Sequence, residues 1–146
     1  MNSSLNEKLS QLLHSLELKE IKPMALNSAS LGIIPDKGNE LQLEWKQSIA
    51  DGDPLAPVPD TRIFRPKYEF TIKFQGSMIF MQESKFLLVF RVLNTNIFNE
   101  LWADEELRKI FIEKQLQRTM WPLFRQHVQD GMCRLGMAPV ALPWLL

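Results

Sequence analysis

Trp121-Pro122-Leu123-Phe124-Arg125-Gln126-His127-Val128 lies inside a segment, Thr119 to Leu142, that has the marks of a capped helix followed by an apolar tail. Pro122 suits the first turn of a helix, where the amide it lacks would have no intrahelical partner. Leu123, Phe124, His127, Val128, Met132 and Leu135 recur at helical spacing and define one apolar stripe. Gly136 is placed to end the helix in the left-handed conformation, and Pro139 prevents its resumption. The expectation is a helix entered at Pro122, broken from what precedes it near Thr119 to Trp121, and followed by an apolar tail. No catalytic pattern is visible in it.

Towards the N-terminus the periodicity changes. Ser4-Leu5-Asn6-Glu7 has the form of a capping box, and Leu5, Leu9, Leu12, Leu13 and Leu16 follow at helical spacing, predicting a helix from about Leu5 to Ser15. A first strand is expected up to Ile21 or Met24, with Pro23 confining it to an edge or ending it. Asn27 to Asn39 shows no period and reads as a long connection. Leu41, Leu43 and Trp45 alternate with Gln42, Glu44 and Lys46, the pattern of a strand with one wet face. After a proline-rich excursion, Tyr68, Phe70, Ile72 and Phe74 alternate with Glu69, Thr71 and Lys73. Gly76 reads as a bulge or bend, Met78 to Met81 as extended, Glu83-Ser84-Lys85 as a turn, and Phe86 to Val92 as the partner strand. From Asp104 the period is helical again, with acidic residues at the positive end of the helix. A helix, about four strands and then helices predict an α+β domain over residues 1–146, with helices on one face of an antiparallel sheet.

Composition narrows the function. The chain has 146 residues, seventeen basic and seventeen acidic, and a formal charge of zero at pH 7. No global field would steer it to nucleic acid or to an anionic membrane, and little charge opposes self-association. The N-terminal apolar residues are interrupted by Glu7, Glu17 and Glu20, unlike a signal peptide, and no apolar run approaches the length of a membrane span. Cys133 is the single cysteine, consistent with a reducing cytoplasmic setting. His14 and His127 are the two histidines, with no metal-ligand spacing between them, so no metal or cofactor is expected. His127 and Cys133 are six residues apart, about two-thirds of a turn out of line for a dyad on a regular helix. Asp51, Asp53 and Asp60 read as turn formers and solvating groups. Arg62, Arg65 and Lys67 beside Phe64 and Tyr68 could track a nucleic-acid backbone, but neighbouring acids dilute them, and a solvated strand entry is the simpler reading. Nothing points to an enzyme.

Trp121-Pro122-Leu123-Phe124-Arg125, with Val128, Arg134-Leu135-Gly136, Pro139 and Leu142, resembles the SecB-type protein-export chaperones and their relatives. The motif covers about a sixth of the chain, and the predicted strand order extends the likeness across most of its length. The helix before the first strand is closer to the SecB-like relatives that serve toxin–antitoxin modules. The resemblance implies a four-stranded antiparallel sheet with helices packed on one face, plus a short N-terminal helix. In it Trp121, Pro122, Phe124, Arg125, Gly136 and Pro139 act as scaffold. It also implies assembly into dimers or tetramers, and ATP-independent binding of unfolded or nascent polypeptide in apolar grooves. Carried onto this chain, the groove walls are Leu31, Ile33 and Ile34 of the connection, Trp45 of the second strand, and Leu142 and Trp144 of the tail. The chain as given ends at Leu146 without the exporter's zinc tail, and it is neutral where the exporter is acidic. Docking to a translocase in protein transport is therefore not expected, whereas polypeptide binding is untouched. The alternatives are an adaptor subunit with one dedicated protein client, such as an antitoxin, and a small-ligand-binding domain.

Overall fold

Strand formation follows from two long runs whose side chains alternate between core and solvent, with strict apolar–polar alternation in the first of them. In β4 (Pro66–Phe74), Pro66, Tyr68, Phe70 and Ile72 are buried, while the residues between them are half-exposed. In β5 (Ser77–Val92) the even-numbered residues from Phe80 to Val92 are all buried. The computed structural model describes residues 3–33, 40–138, 140 and 142. Its other elements are α1 (Ser3–His14), β1 (Leu16–Ser30), β2 (Gln42–Ile49), β3 (Thr61–Phe64), α2 (Thr95–Trp102), α3 (Glu105–Ile110), a π-helical segment (Phe111–Leu116) and α4 (Gln117–Arg134). The sheet order is β1-β5-β4-β2, with β3 also paired to β5. β3 and β4 run antiparallel to β5 in one register, from Thr61↔Arg91 and Phe64↔Leu88 to Lys67↔Lys85 and Ile72↔Phe80. They are interrupted only at Arg65, next to the donorless Pro66, so the expected four-stranded sheet is present with one strand written in two pieces.

Three expectations are corrected. The hairpin turn lies at Gln75-Gly76, not at Glu83-Ser84-Lys85. Gln75 and Gly76 have φ of 51° and 81°, the positive values a two-residue type I′ turn needs at both centres. Glu83 to Lys85 read as a turn because they are polar, yet Gln82 and Ser84 point inward and are buried in an unbroken 16-residue strand. β1 does not end near Pro23 but continues to Ser30. As a terminal strand of the sheet, it tolerates one residue without a donor. Pro122 does not open a helix either. It lies inside α4, which starts at Gln117 directly after the π-helical segment, and its ring is on the exposed side. The helix passes through with one ladder bond fewer rather than breaking.

Contacts cluster into two compact units, each assembled from three stretches of chain. The first comprises Met1–Lys22, Ala50–Arg65 and Leu87–Thr119. Phe64 centres it, with ring centroids 5.7 Å from Phe90, 5.6 Å from Trp102 and 5.7 Å from Phe111. Asn94 and Asp104 cap α2 and α3 by accepting from the amides of Ile97 and Leu107. Neither Arg62 nor Arg65 is the solvated cation expected of a strand entry. Arg62 is buried, with its guanidinium 5.1 Å above the Phe98 ring, and it donates to Asn99 Oδ1 and to the carbonyls of Pro59 and Thr61. Arg65 grips Asp53, whose side chain is fully buried, through its backbone amide at 2.6 Å and its Nε at 2.7 Å. Asp53 is thus an anchor of the excursion rather than a solvating group.

The second unit comprises Pro23–Ile49, Pro66–Phe86 and Met120–Leu146. Here Met120, Trp121, Phe124, Val128, Gly131 and Met132 form the buried stripe of α4, while Leu123 and Leu135 of the expected stripe are exposed. Phe124 stacks on Tyr68 at 5.0 Å and meets Phe70 and Trp121 at 6.2 and 5.5 Å. Each such aromatic pair adds about 0.5–1.5 kcal/mol beyond its buried area. α4 ends as its sequence predicts. Gly136 has φ 72°, its amide donates to Cys133 O, and the amide of Met137 reaches back to Met132 O at 2.9 Å, a Schellman closure.

Candidate functional site

The site lies in the second unit, where β2 borders α4. β2 pairs antiparallel with β4 from Gln42↔Lys73 to Ile49↔Pro66, so Leu43, Trp45 and Gln47 share a face with Ile72, Phe70 and Tyr68. That face is the one α4 covers. Trp45 is the most open of these residues: its ring lies 5.2 Å from the buried ring of Trp121, and the residue is still 36% exposed. A large apolar ring held against a rigid partner presents an open edge, which is the physical basis of an anchoring surface.

The opposite face of the same strands is wet and charge-balanced. Lys67 bridges Glu69 at 3.2 Å and Glu83 at 3.8 Å, Lys85 bridges Glu83 at 3.5 Å, and Lys73 bridges Glu44 at 3.4 Å. The hydrogen bond to Glu69 first, and then the charges of Glu83 and Glu69, raise the Lys67 pKa above its ordinary value. Met78 and Met81 are exposed, and Met81 stands opposite Thr71 on the wet face. Beneath α4 a polar group interrupts the apolar packing. Gln82 and Ser84 are buried and hydrogen-bonded to each other at 3.2 Å, and Tyr68 is buried with its hydroxyl, whose pKa burial pushes well above the usual phenol range.

The structure places the sequence-predicted groove residues unevenly. Leu31 and Ile33 are exposed, Ile33 to 90%, and follow β1; the Leu31 amide donates to Ile79 O of β5 at 2.8 Å. With β5 and β4 between β1 and β2, three strand spacings of roughly 4.8 Å separate that edge from β2 by about 14 Å. Leu31 and Trp45 are therefore on opposite edges of the sheet. Leu142 is 3% exposed. Ile34 and Trp144 lie outside the described residues, as does Pro139 of the scaffold motif. Trp121 and Phe124 are buried, Arg125 is half-buried, and Pro122 and Gly136 are exposed. Sequence reading assigned Trp121 to scaffold alone. Its pairing with Trp45 depends on a tertiary contact that no local pattern encodes.

Chemistry of other kinds finds little purchase. Among the described residues no group of three or more His, Cys, Asp or Glu side chains could hold a metal ion, and no helix is long and apolar enough to cross a membrane. Cys133 is exposed and free. In the first unit, His14 and Glu100 line a cleft of about 380 Å³ with Leu93 and Ile97. His14 Nδ1 lies 2.7 Å from the carbonyl of Ser10 in its own helix.

An antiparallel sheet whose open face is charged and whose other face is packed by helices, preceded by a short helix, defines the SecB-like α+β fold. Comparison with solved structures agrees. The chain superposes on the SecB-like chaperone Rv1957 of Mycobacterium tuberculosis, solved in complex with a ChAD peptide from the Rv1956 HigA1 antitoxin. The TM-score is 0.72, with 18% identity over 97% of this chain and 99% of that one. No family model matches the sequence. No curated protein matches it either.

Proposed function

We propose that this protein is an ATP-independent chaperone that holds non-native polypeptide on the apolar surface around Trp45. In this reading it acts in the cytoplasm as a homo-oligomer, without cofactor or catalysis. The carrying observation is the Trp45 ring, half-open to solvent and backed by Trp121, within a fold shared with a SecB-like chaperone. Leu31 and Ile33 supply a second exposed apolar contact at the other edge. Apolar burial is worth about 25 cal/mol per Å² before ordering costs and is indifferent to sequence, as a chaperone requires.

A second reading has one dedicated client instead of many, and the peptide bound to the mycobacterial protein supports it. Aggregation assays separate the two. A general chaperone suppresses light scattering by several unrelated unfolded proteins at near-stoichiometric ratio. A dedicated adaptor suppresses none of them but protects its own client. Trp45→Ala is expected to weaken suppression about tenfold while leaving the circular dichroism spectrum unchanged. Unchanged suppression by that variant removes Trp45 from the site.

A further inference from the structure

We propose that the cleft between the last turn of α1 and α2 is a binding site for a small organic ammonium ion, a primary amine carried on an aliphatic or aromatic body. This goes beyond the polypeptide surface around Trp45 and does not depend on it. The cleft lies wholly within the first unit and has a volume of about 380 Å³, inside the range of roughly 300–1,000 Å³ typical of small-molecule sites. Its walls are fixed by hydrogen bonds to the main chain. The Leu93 amide donates to Ser15 O at 2.8 Å, which ties the end of β5 to the end of α1, and Asn94 then caps α2. Leu93 and Ile97 remain 55% and 42% exposed along it, beside the buried Leu101.

The polar groups of the cleft specify a cation. His14 Nδ1 lies 2.7 Å from Ser10 O, and a carbonyl only accepts, so in the neutral ring Nδ1 carries the proton and Nε2 is left as an acceptor. Glu100 makes no ion pair among the described residues and lines the same cleft. No lysine or arginine lines it, and Lys8, the one lysine of α1, is engaged by Asp104 at 3.4 Å. The last turn of α1 brings the negative end of that helix to the same place, whereas the positive end of α2 is capped by Asn94 Oδ1. Two ligating side chains are too few for a bare metal ion, and no group of three occurs among the described residues. A primary ammonium has three donors, enough for Nε2, the Glu100 carboxylate and the side-chain carbonyl of Gln11, while its hydrocarbon body covers Leu93 and Ile97.

Isothermal titration with phenethylamine at pH 8 tests this, against phenethyl alcohol, which keeps the body without the charge, and ethylamine, which keeps the charge without the body. Phenethylamine is expected to bind about tenfold more tightly than either, and to shift the amide resonances of residues 10–15 and 93–101. Glu100→Gln and His14→Phe, both at exposed positions, are each expected to weaken it about fivefold with the circular dichroism spectrum unchanged. Absence of binding, equal binding of the amine and the alcohol, full affinity in either variant, or resonance shifts confined to other residues overturns the proposal. A blocked lysine amide that binds more tightly than phenethylamine assigns the cleft to a protein side chain and overturns the small-molecule reading. In a Cys133→Ser background, Ile97→Cys that crosslinks to a second copy assigns the cleft to self-association and overturns it too.

Discussion

At Gly131 the absence of a side chain lets α4 approach the sheet, because a Cβ there would overlap Gln82 Oε1 and come within 3.4 Å of Ser28 Oγ. Gly131→Ala is expected to cost about 1–3 kcal/mol, the usual range for overpacking a buried contact, read as a lower urea midpoint with an unchanged m-value. One turn earlier, His127 packs 4.8 Å from the Phe86 ring. Burial lowers its pKa; Asp130 opposes that shift and Arg134 adds to it. The folded state therefore favours the neutral ring. Its contribution is complete above the unfolded value of about 6.5 and is lost as pH falls through the lower folded value. Urea unfolding at pH 7.5 and 5.5 checks this: the native protein loses stability at the acid end, and His127→Gln loses less. Local pattern placed His127 beside an apolar stripe, but the ring it touches comes from β5 and could not be read from α4.

Elements differ in how much of their ending is written locally. The left-handed glycine after α4 was legible because the conformation and the residue type go together. The β4–β5 turn was not, because glutamine is an unusual first residue for it. Gln75→Asn supplies the residue a type I′ turn prefers and is expected to raise stability by a few tenths of a kcal/mol, seen as a higher melting temperature. Polar residues misled in β5 for a related reason: Gln82 and Ser84 occupy inward positions, so the strand loses its alternation where it crosses beneath α4. Caps behave more simply. Asn94→Ala removes the acceptor for the Ile97 amide and is expected to cost about 1 kcal/mol of unfolding free energy.

For the whole molecule, equal numbers of acidic and basic residues leave no net repulsion near pH 7. Light scattering against pH is expected to show most self-association near neutrality and less at pH 9, where net negative charge builds. The α+β class, the helix before the first strand and the candidate Trp45 were all readable from periodicity and from the motif's resemblance. Bringing Trp45 to Trp121 and separating it from Leu31 were not, since both depend on strand order.

Alternation in Tyr68 to Phe74, helical spacing after Asp104 and the glycine after α4 belong to the sequence alone, because each arises from backbone geometry within a few residues. The tertiary structure decided which of the candidate residues stand together. It made β2 an edge, left Trp45 half-open on Trp121, buried Leu142, turned Arg62 inward and tied Arg65 to the buried side chain of Asp53. Those outcomes depend on which surfaces pack against one another, and packing joins residues that the chain keeps far apart. The segment Thr119 to Leu142 supplies the buried ring of the Trp45–Trp121 pair; the open ring comes from β2.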